Sequence, residues 1–83
     1  MTNVTVRVRL FGAFRTYGEA LEVTIPAGGV ARDVREALAR RLKPEDSRLV
    51  HDSALADDTR ILDEEATMDR DMTVSVLPPV CGG

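Results

Sequence analysis

The residues best placed to do chemistry in this chain are its last six, Pro78-Pro79-Val80-Cys81-Gly82-Gly83. A Gly-Gly end offers a carboxylate on a strip of bare backbone. Lacking a Cβ, it can follow a channel only backbone-wide and take up angles closed to other residues. The two prolines do the opposite: they fix φ, stiffen the exit and cannot join a central strand of a sheet. Extended, Pro78 to Gly83 spans on the order of 20 Å, far enough to place Gly83 inside another protein's active site. A carboxylate is a poor acyl donor, but conversion to an acyl phosphate creates a leaving group that a strong nucleophile such as sulfur displaces. A Gly pair alone is a weak signal, since frayed ends share it. Here an apolar run, Met72 to Leu77, leads straight into Pro-Pro-x-x-Gly-Gly.

Other reactive side chains are few. One cysteine excludes an internal disulfide, and one Cys with one His cannot build a structural zinc site. Cys81 is either an incidental thiol, with nothing nearby in sequence to lower its pKa, or a thiol two residues from the acyl carbon, able to capture an activated carboxylate. His51 is expected to be exposed or packed rather than catalytic. Asp63-Glu64-Glu65 and Asp69-Arg70-Asp71 are expected to be solvated acidic loops. A net charge of −3, without a basic stretch carrying aromatics, argues against nucleic acid. No apolar run approaches membrane-spanning length and the start shows no signal-peptide pattern, so a soluble cytoplasmic protein is expected. Lys43 is the only lysine.

The elements that must position the tail are legible around it. Eighty-three residues suit one small core. Val4 to Leu10 alternates, with Val4, Val6, Val8 and Leu10 on one face and Thr5, Arg7, Arg9 and then Phe11 on the other. A loop from Gly12 through Gly18 leads to a second alternating run, Leu21 to Ile25, which predicts a hairpin. After Gly29, a possible N-cap, the stripe Val30, Val34, Ala37, Leu38 and Leu42 predicts an amphipathic helix. Asp33 in its first turn and Arg40 and Arg41 in its last suit the helix dipole, and Pro44 marks its stop. Glu45 to Asp52 reads as loop. Ser53–Ala56 and Arg60–Leu62 are short strand candidates around a turn at Asp57-Asp58-Thr59, with limits between Ser47 and Asp63 left open. Met72 to Leu77 is the last strand. This order predicts an α+β roll of about five strands with one main helix across one face, residues 1–77, followed by an extended tail, 78–83. Phe11 and Leu77 fall opposite the core alternation. If the first and last strands are neighbours, these two and Ile61 form an apolar docking patch beside the tail.

The chain resembles the ubiquitin-like β-grasp sulfur carriers of the MoaD/ThiS family, most of all the small subunits of molybdopterin synthase. The residues that carry the resemblance are Val8-Arg-Leu-Phe-Gly-Ala-Phe-Arg15, Val30-Ala-Arg-Asp-Val-Arg-Glu-Ala-Leu38, and Met72 to Gly83. The tail Leu-Pro-Pro-Val-x-Gly-Gly is the specific part. Asp58, where the family often has Asn, and Asp69-Arg70-Asp71, in place of a Gly-containing turn, are departures, and Cys81 stands where small or hydroxyl residues are usual.

The resemblance implies a β-grasp fold whose first and last strands are parallel central neighbours. It implies that a ubiquitin-activating-type enzyme uses ATP and magnesium to adenylate Gly83, and that sulfur from a persulfide enzyme displaces AMP to leave a thiocarboxylate. The large synthase subunit would take in this end and hold the catalytic site, passing sulfur to a pterin precursor. The chain itself would be non-catalytic and bind no cofactor. Gly82 would give thin access, while Phe11, Ile61, Leu77, Pro78, Pro79, Val80 and Cys81 would meet the partners. Two alternatives stay open. One is a sulfur carrier for thiamin, cysteine or tRNA thiolation; the other is a protein modifier joined to target lysines through Gly83.

Overall fold

A computed structural model describes residues 2–79. Its elements in chain order are β1 (Asn3–Leu10), a 3-10 helix (Gly12–Tyr17), β2 (Ala20–Pro26), α1 (Ala31–Ala39), α2 (Pro44–His51), β3 (Ala54–Ala56) and β4 (Met72–Leu77). The sheet has four strands in the order β2-β1-β4-β3. β1 runs antiparallel to β2 and parallel to β4, and β3 closes the other edge antiparallel to β4. The first and last strands are therefore the central pair, as the family resemblance implies.

Alternation decides which face is core. Val4, Val6, Val8 and Leu10 of β1, Val23 and Ile25 of β2, Leu55 of β3 and Val74 and Val76 of β4 are buried. Val34 and Leu38 of α1, Val50 of α2, Phe14 and Met68 join them in one cluster. Both helices cover this face, and the other face of the sheet is left bare of helix. Complete burial of each large apolar side chain contributes roughly 1.5–3 kcal/mol against exposure, so the register of β1 and β4 is strongly specified.

Helix α1 starts one residue later than the Gly29 cap would set it. Val30 is the N-cap, extended at φ −124°, ψ 174°. A valine side chain cannot cap; instead the Asp33 carboxylate accepts the Val30 N–H at 2.9 Å. The next donors go to the acidic loop: Ala31 N–H to Ala66 O and Arg32 N–H to Glu64 O, each 2.9 Å. Of the four orphan N–H groups of this helix start, two are satisfied across the chain and two locally, Asp33 N–H bonding back to Val30 O at 2.9 Å. At the other end α1 stops at Ala39, short of the predicted Leu42. Arg41 N–H and Leu42 N–H bond to Leu38 O and Ala39 O, tightening the last turn to 3-10 geometry.

The stretch expected to be loop, Glu45–Asp52, is mostly helix. Pro44 does not simply stop α1; it is the first residue of α2, where its missing N–H has no intrahelical partner to lose. Glu45 and Asp46 sit in the first turn and Arg48 and His51 in the last, matching the dipole. His51 is exposed. Arg35 of α1 closes the far end: its Nη1 donates to Val50 O at 2.7 Å and to Ser53 O at 2.5 Å. At the near end the Tyr17 hydroxyl donates to Asp46 at 2.6 Å and accepts Lys43 N–H at 3.0 Å. Ionising the hydroxyl would forfeit the bond it donates to Asp46, so the Tyr17 pKa is raised above its ordinary value.

The sheet has four strands rather than about five because Arg60–Leu62 is not a strand. Asp57 Oδ1 accepts the N–H groups of Thr59 at 2.8 Å and Arg60 at 3.0 Å, a tight Asx turn. Those bonds favour ionised Asp57 and hold its pKa below 3.8. The turn leaves one bridge, Ala56 with Ile61, beside the Leu62 N–H to Leu55 O bond at 2.7 Å. From Asp63 the chain turns again to cap α1. The Gly12–Gly18 connection, expected to be loop, is a 3-10 helix that buries Phe14.

Candidate functional site

The parallel pairing of β1 with β4 sets the base of the tail. Its last registered pair is Leu10 with Val76. One step further along each chain, Phe11 and Leu77 point away from the core. Leu77 is 37% exposed and Phe11 half-buried. On the β3 side Leu77 pairs with Ala54 and Ser75 with Ala56, and the bridge from Ala56 carries Ile61, 66% exposed. Ile61 and Leu77 are the exposed large apolar residues among those described. On the open face Leu77 and Ile61 stand toward the β3 edge beside Ala54 and Ala56, and Phe11 follows the last β1–β4 pair.

β4 ends at Leu77, and Pro78 and Pro79 lie outside the sheet. Pro78 is half-buried because Gly12 lies against it: a Cβ on Gly12 would sit 2.8 Å from the Pro78 Cγ. Gly12 also has φ +59°, which L side chains rarely adopt. Two independent constraints therefore require glycine at this point. The turn that ends β1 and the ring that starts the tail are fitted to one another. Val80, Cys81, Gly82 and Gly83, also expected at this site, lie outside the described residues.

The sequence reading missed Gly12, taking it only as the break after β1. The signal was there in a Gly directly behind the strand that neighbours Leu77. It also passed over the basic residues of the open face. Arg7 and Arg9 alternate outward along β1, and Arg15 joins them from the 3-10 helix around a hollow of about 80 Å³ that Phe11 also lines. The Arg9 guanidinium stands 5.4 Å over the Phe11 ring. Among the described residues no group of three or more His, Cys, Asp or Glu side chains is placed to hold a metal ion. No helix among them is long and apolar enough to cross a membrane.

One helical layer over a mixed sheet, with first and last strands parallel at its centre, defines a ubiquitin-like β-grasp domain. Solved structures agree. The HVO 2177 protein of Haloferax volcanii is 25% identical with a TM-score of 0.74, over 98% of this chain and 88% of that one. A Pyrococcus furiosus protein assigned as molybdopterin converting factor, subunit 1, is 26% identical with a TM-score of 0.73, over 93% and 99%. SAMP1 of Haloferax volcanii shares the fold at 16% identity, with a TM-score of 0.72 over 95% and 99%. No family model matches the chain, and no curated protein matches it by sequence. The chain is a small ubiquitin-like β-grasp protein, similar in structure to SAMP1 and to the molybdopterin converting factor subunit.

Proposed function

We propose that this protein carries sulfur on its Gly83 carboxylate, as the small, non-catalytic partner of a molybdopterin synthase. The observation that most supports the reading is the juncture of β4 with the tail. A rigid central strand ends at Leu77, and Pro78 is seated on Gly12 beside an open apolar face. Such an arrangement fixes the base of a thin peptide beside a surface that a partner can grip. The molybdopterin converting factor assignment of the Pyrococcus relative favours the pterin pathway over thiamin, cysteine or tRNA products.

The chemistry belongs to partners, with this chain as substrate. In an adenylating enzyme the Gly83 carboxylate attacks the α-phosphorus of ATP, held with magnesium, and pyrophosphate leaves. A persulfide sulfur then adds to the acyl carbon and AMP departs; a thiol cleaves the resulting S–S bond to leave the thiocarboxylate. The large synthase subunit draws in Gly82-Gly83 and holds the pterin precursor that accepts the sulfur, and hydrolysis of the acyl group returns the Gly83 carboxylate. Phe11, Ile61 and Leu77 grip each partner in turn, with Pro78, Pro79, Val80 and Cys81 along the entrance.

The test is ATP–pyrophosphate exchange by the adenylating enzyme of the same organism. Exchange that requires this protein and stops on deletion of Gly83 supports the reading. Exchange indifferent to that deletion rules it out.

A further inference from the structure

We propose that the hollow bounded by Arg7, Arg9 and Arg15 receives a carboxylate side chain of the protein that takes up the tail. The proposal rests on the carrier reading and supplies what that reading lacks, the polar half of the docking surface.

Charge placement carries the inference. The chain is acidic overall at −3, yet three guanidinium groups converge on one small hollow. Among the described residues, arginines with a hydrogen bond or ion pair to the protein are Arg32, Arg35 and Arg41. Arg7, Arg9 and Arg15 have neither, although Glu19 lines the same hollow. Arg7 also faces Glu22, its cross-strand partner, and three cations against Glu19 and Glu22 still leave an excess of positive charge on this side of the sheet. A concave site lined by one sign of charge concentrates the field and attracts the opposite charge.

Geometry narrows the occupant. The hollow, about 80 Å³, holds a carboxylate group but not a nucleotide. Arg9 is steadied over the Phe11 ring, so its planar fork is partly pre-organised for a bidentate carboxylate. Nearby backbone donors are spoken for: Leu10 N–H bonds to Glu19 O at 2.9 Å, Phe14 N–H to Phe11 O at 3.1 Å and Gly18 N–H to Arg15 O at 3.0 Å. A carboxylate on a docking protein adds the apolar contacts that start at Phe11, since that ring lines the hollow and adjoins the Leu77 end of the open face. Arg9 pairs in register with Ser75, two residues before Leu77, which puts the cations at the base of the tail.

The experiment compares wild type with Arg7→Gln/Arg9→Gln/Arg15→Gln as substrates in the same ATP–pyrophosphate exchange, across ionic strength up to about 0.15 M. Each single Gln variant is measured too, and Arg48→Gln, on the helix side, is the control. Expected is a KM about tenfold higher for the triple variant at low salt, with kcat little changed and the salt dependence of KM flattened. The singles each give part of the effect, Arg48→Gln gives none, and thermal midpoints stay close to wild type. A triple variant matching wild type in KM and salt dependence overturns the proposal while leaving the carrier reading intact. Wild type that supports no exchange removes the carrier reading and the proposal with it. Inorganic phosphate that shifts the three arginine Nε–H NMR signals saturably, and is not displaced by the enzyme, makes the hollow a free-anion site and also overturns it.

Discussion

Gly12 lies so close to Pro78 that a side chain on it has no room: an added Cβ would stand 2.8 Å from the Pro78 Cγ. The contact joins the end of β1 to the start of the tail, so the path of the tail depends on a residue near the other end of the chain. Gly12→Ala is predicted to destabilise by about 1–3 kcal/mol, because alanine at φ +59° is strained. It also displaces Pro78. Combining it with Pro78→Ala removes the clashing Cγ, so the double variant loses less stability than the two singles summed. A urea double-mutant cycle reads the coupling; strict additivity would show that the contact does not matter.

Leu77 and Ile61 stand on the open face and add little to the core. Leu77→Glu and Ile61→Glu are each predicted to change stability by no more than about 0.5 kcal/mol while severely weakening association with the adenylating enzyme. Calorimetric titration with that enzyme checks the claim. Unchanged affinity for both variants would remove the apolar docking patch.

Arg35 is the structural counterpart of these exposed residues. It closes α2 by bonding the carbonyls of Val50 and Ser53, both buried residues. Arg35→Leu strands those acceptors and is predicted to cost about 2–3 kcal/mol in urea denaturation. The open face is untouched, so the folded fraction of this variant is expected to bind partners normally.

The turn that carries Ile61 outward has a pH signature. Asp57 titrates below 3.8 because the ionised carboxylate is bonded by Thr59 and Arg60 N–H groups. A depressed native pKa contributes stability above the unfolded value and loses it as pH falls from 3.8 through the native one. Comparing wild type with Asp57→Asn by thermal melts over this acid range, the wild-type advantage is predicted to shrink as pH drops. A constant difference would show that ionisation of Asp57 has no part in the turn.

What the sequence made legible follows from how strongly each element is patterned. β1 and β4 alternate cleanly because one face is buried by helices and the other is open, and both appeared nearly to the residue. α2 was hidden by its shortness: eight residues with a single buried side chain, Val50, give no clear stripe, and Pro44 reads equally as a stop or a start. The Val30 start of α1 was hidden because its cap is a backbone arrangement completed by Glu64 and Ala66, far along the chain. Of the site, Phe11 and Leu77 could be named from alternation, whereas Ile61 enters only as the neighbour of Leu62 and through the family resemblance. Gly12 and the arginine hollow needed the β1–β4 register, which local patterning does not encode.

The central claim is that Gly83 carries sulfur. Its most direct test is the intact mass of N-terminally tagged protein recovered from its native host under reducing, cold and rapid conditions. A fraction heavier by the replacement of one oxygen with sulfur, and absent on deletion of Gly83, is the predicted result. Species heavier by whole proteins and linked from Gly83 to lysine, with no sulfur-bearing form, would contradict it and make the chain a protein modifier.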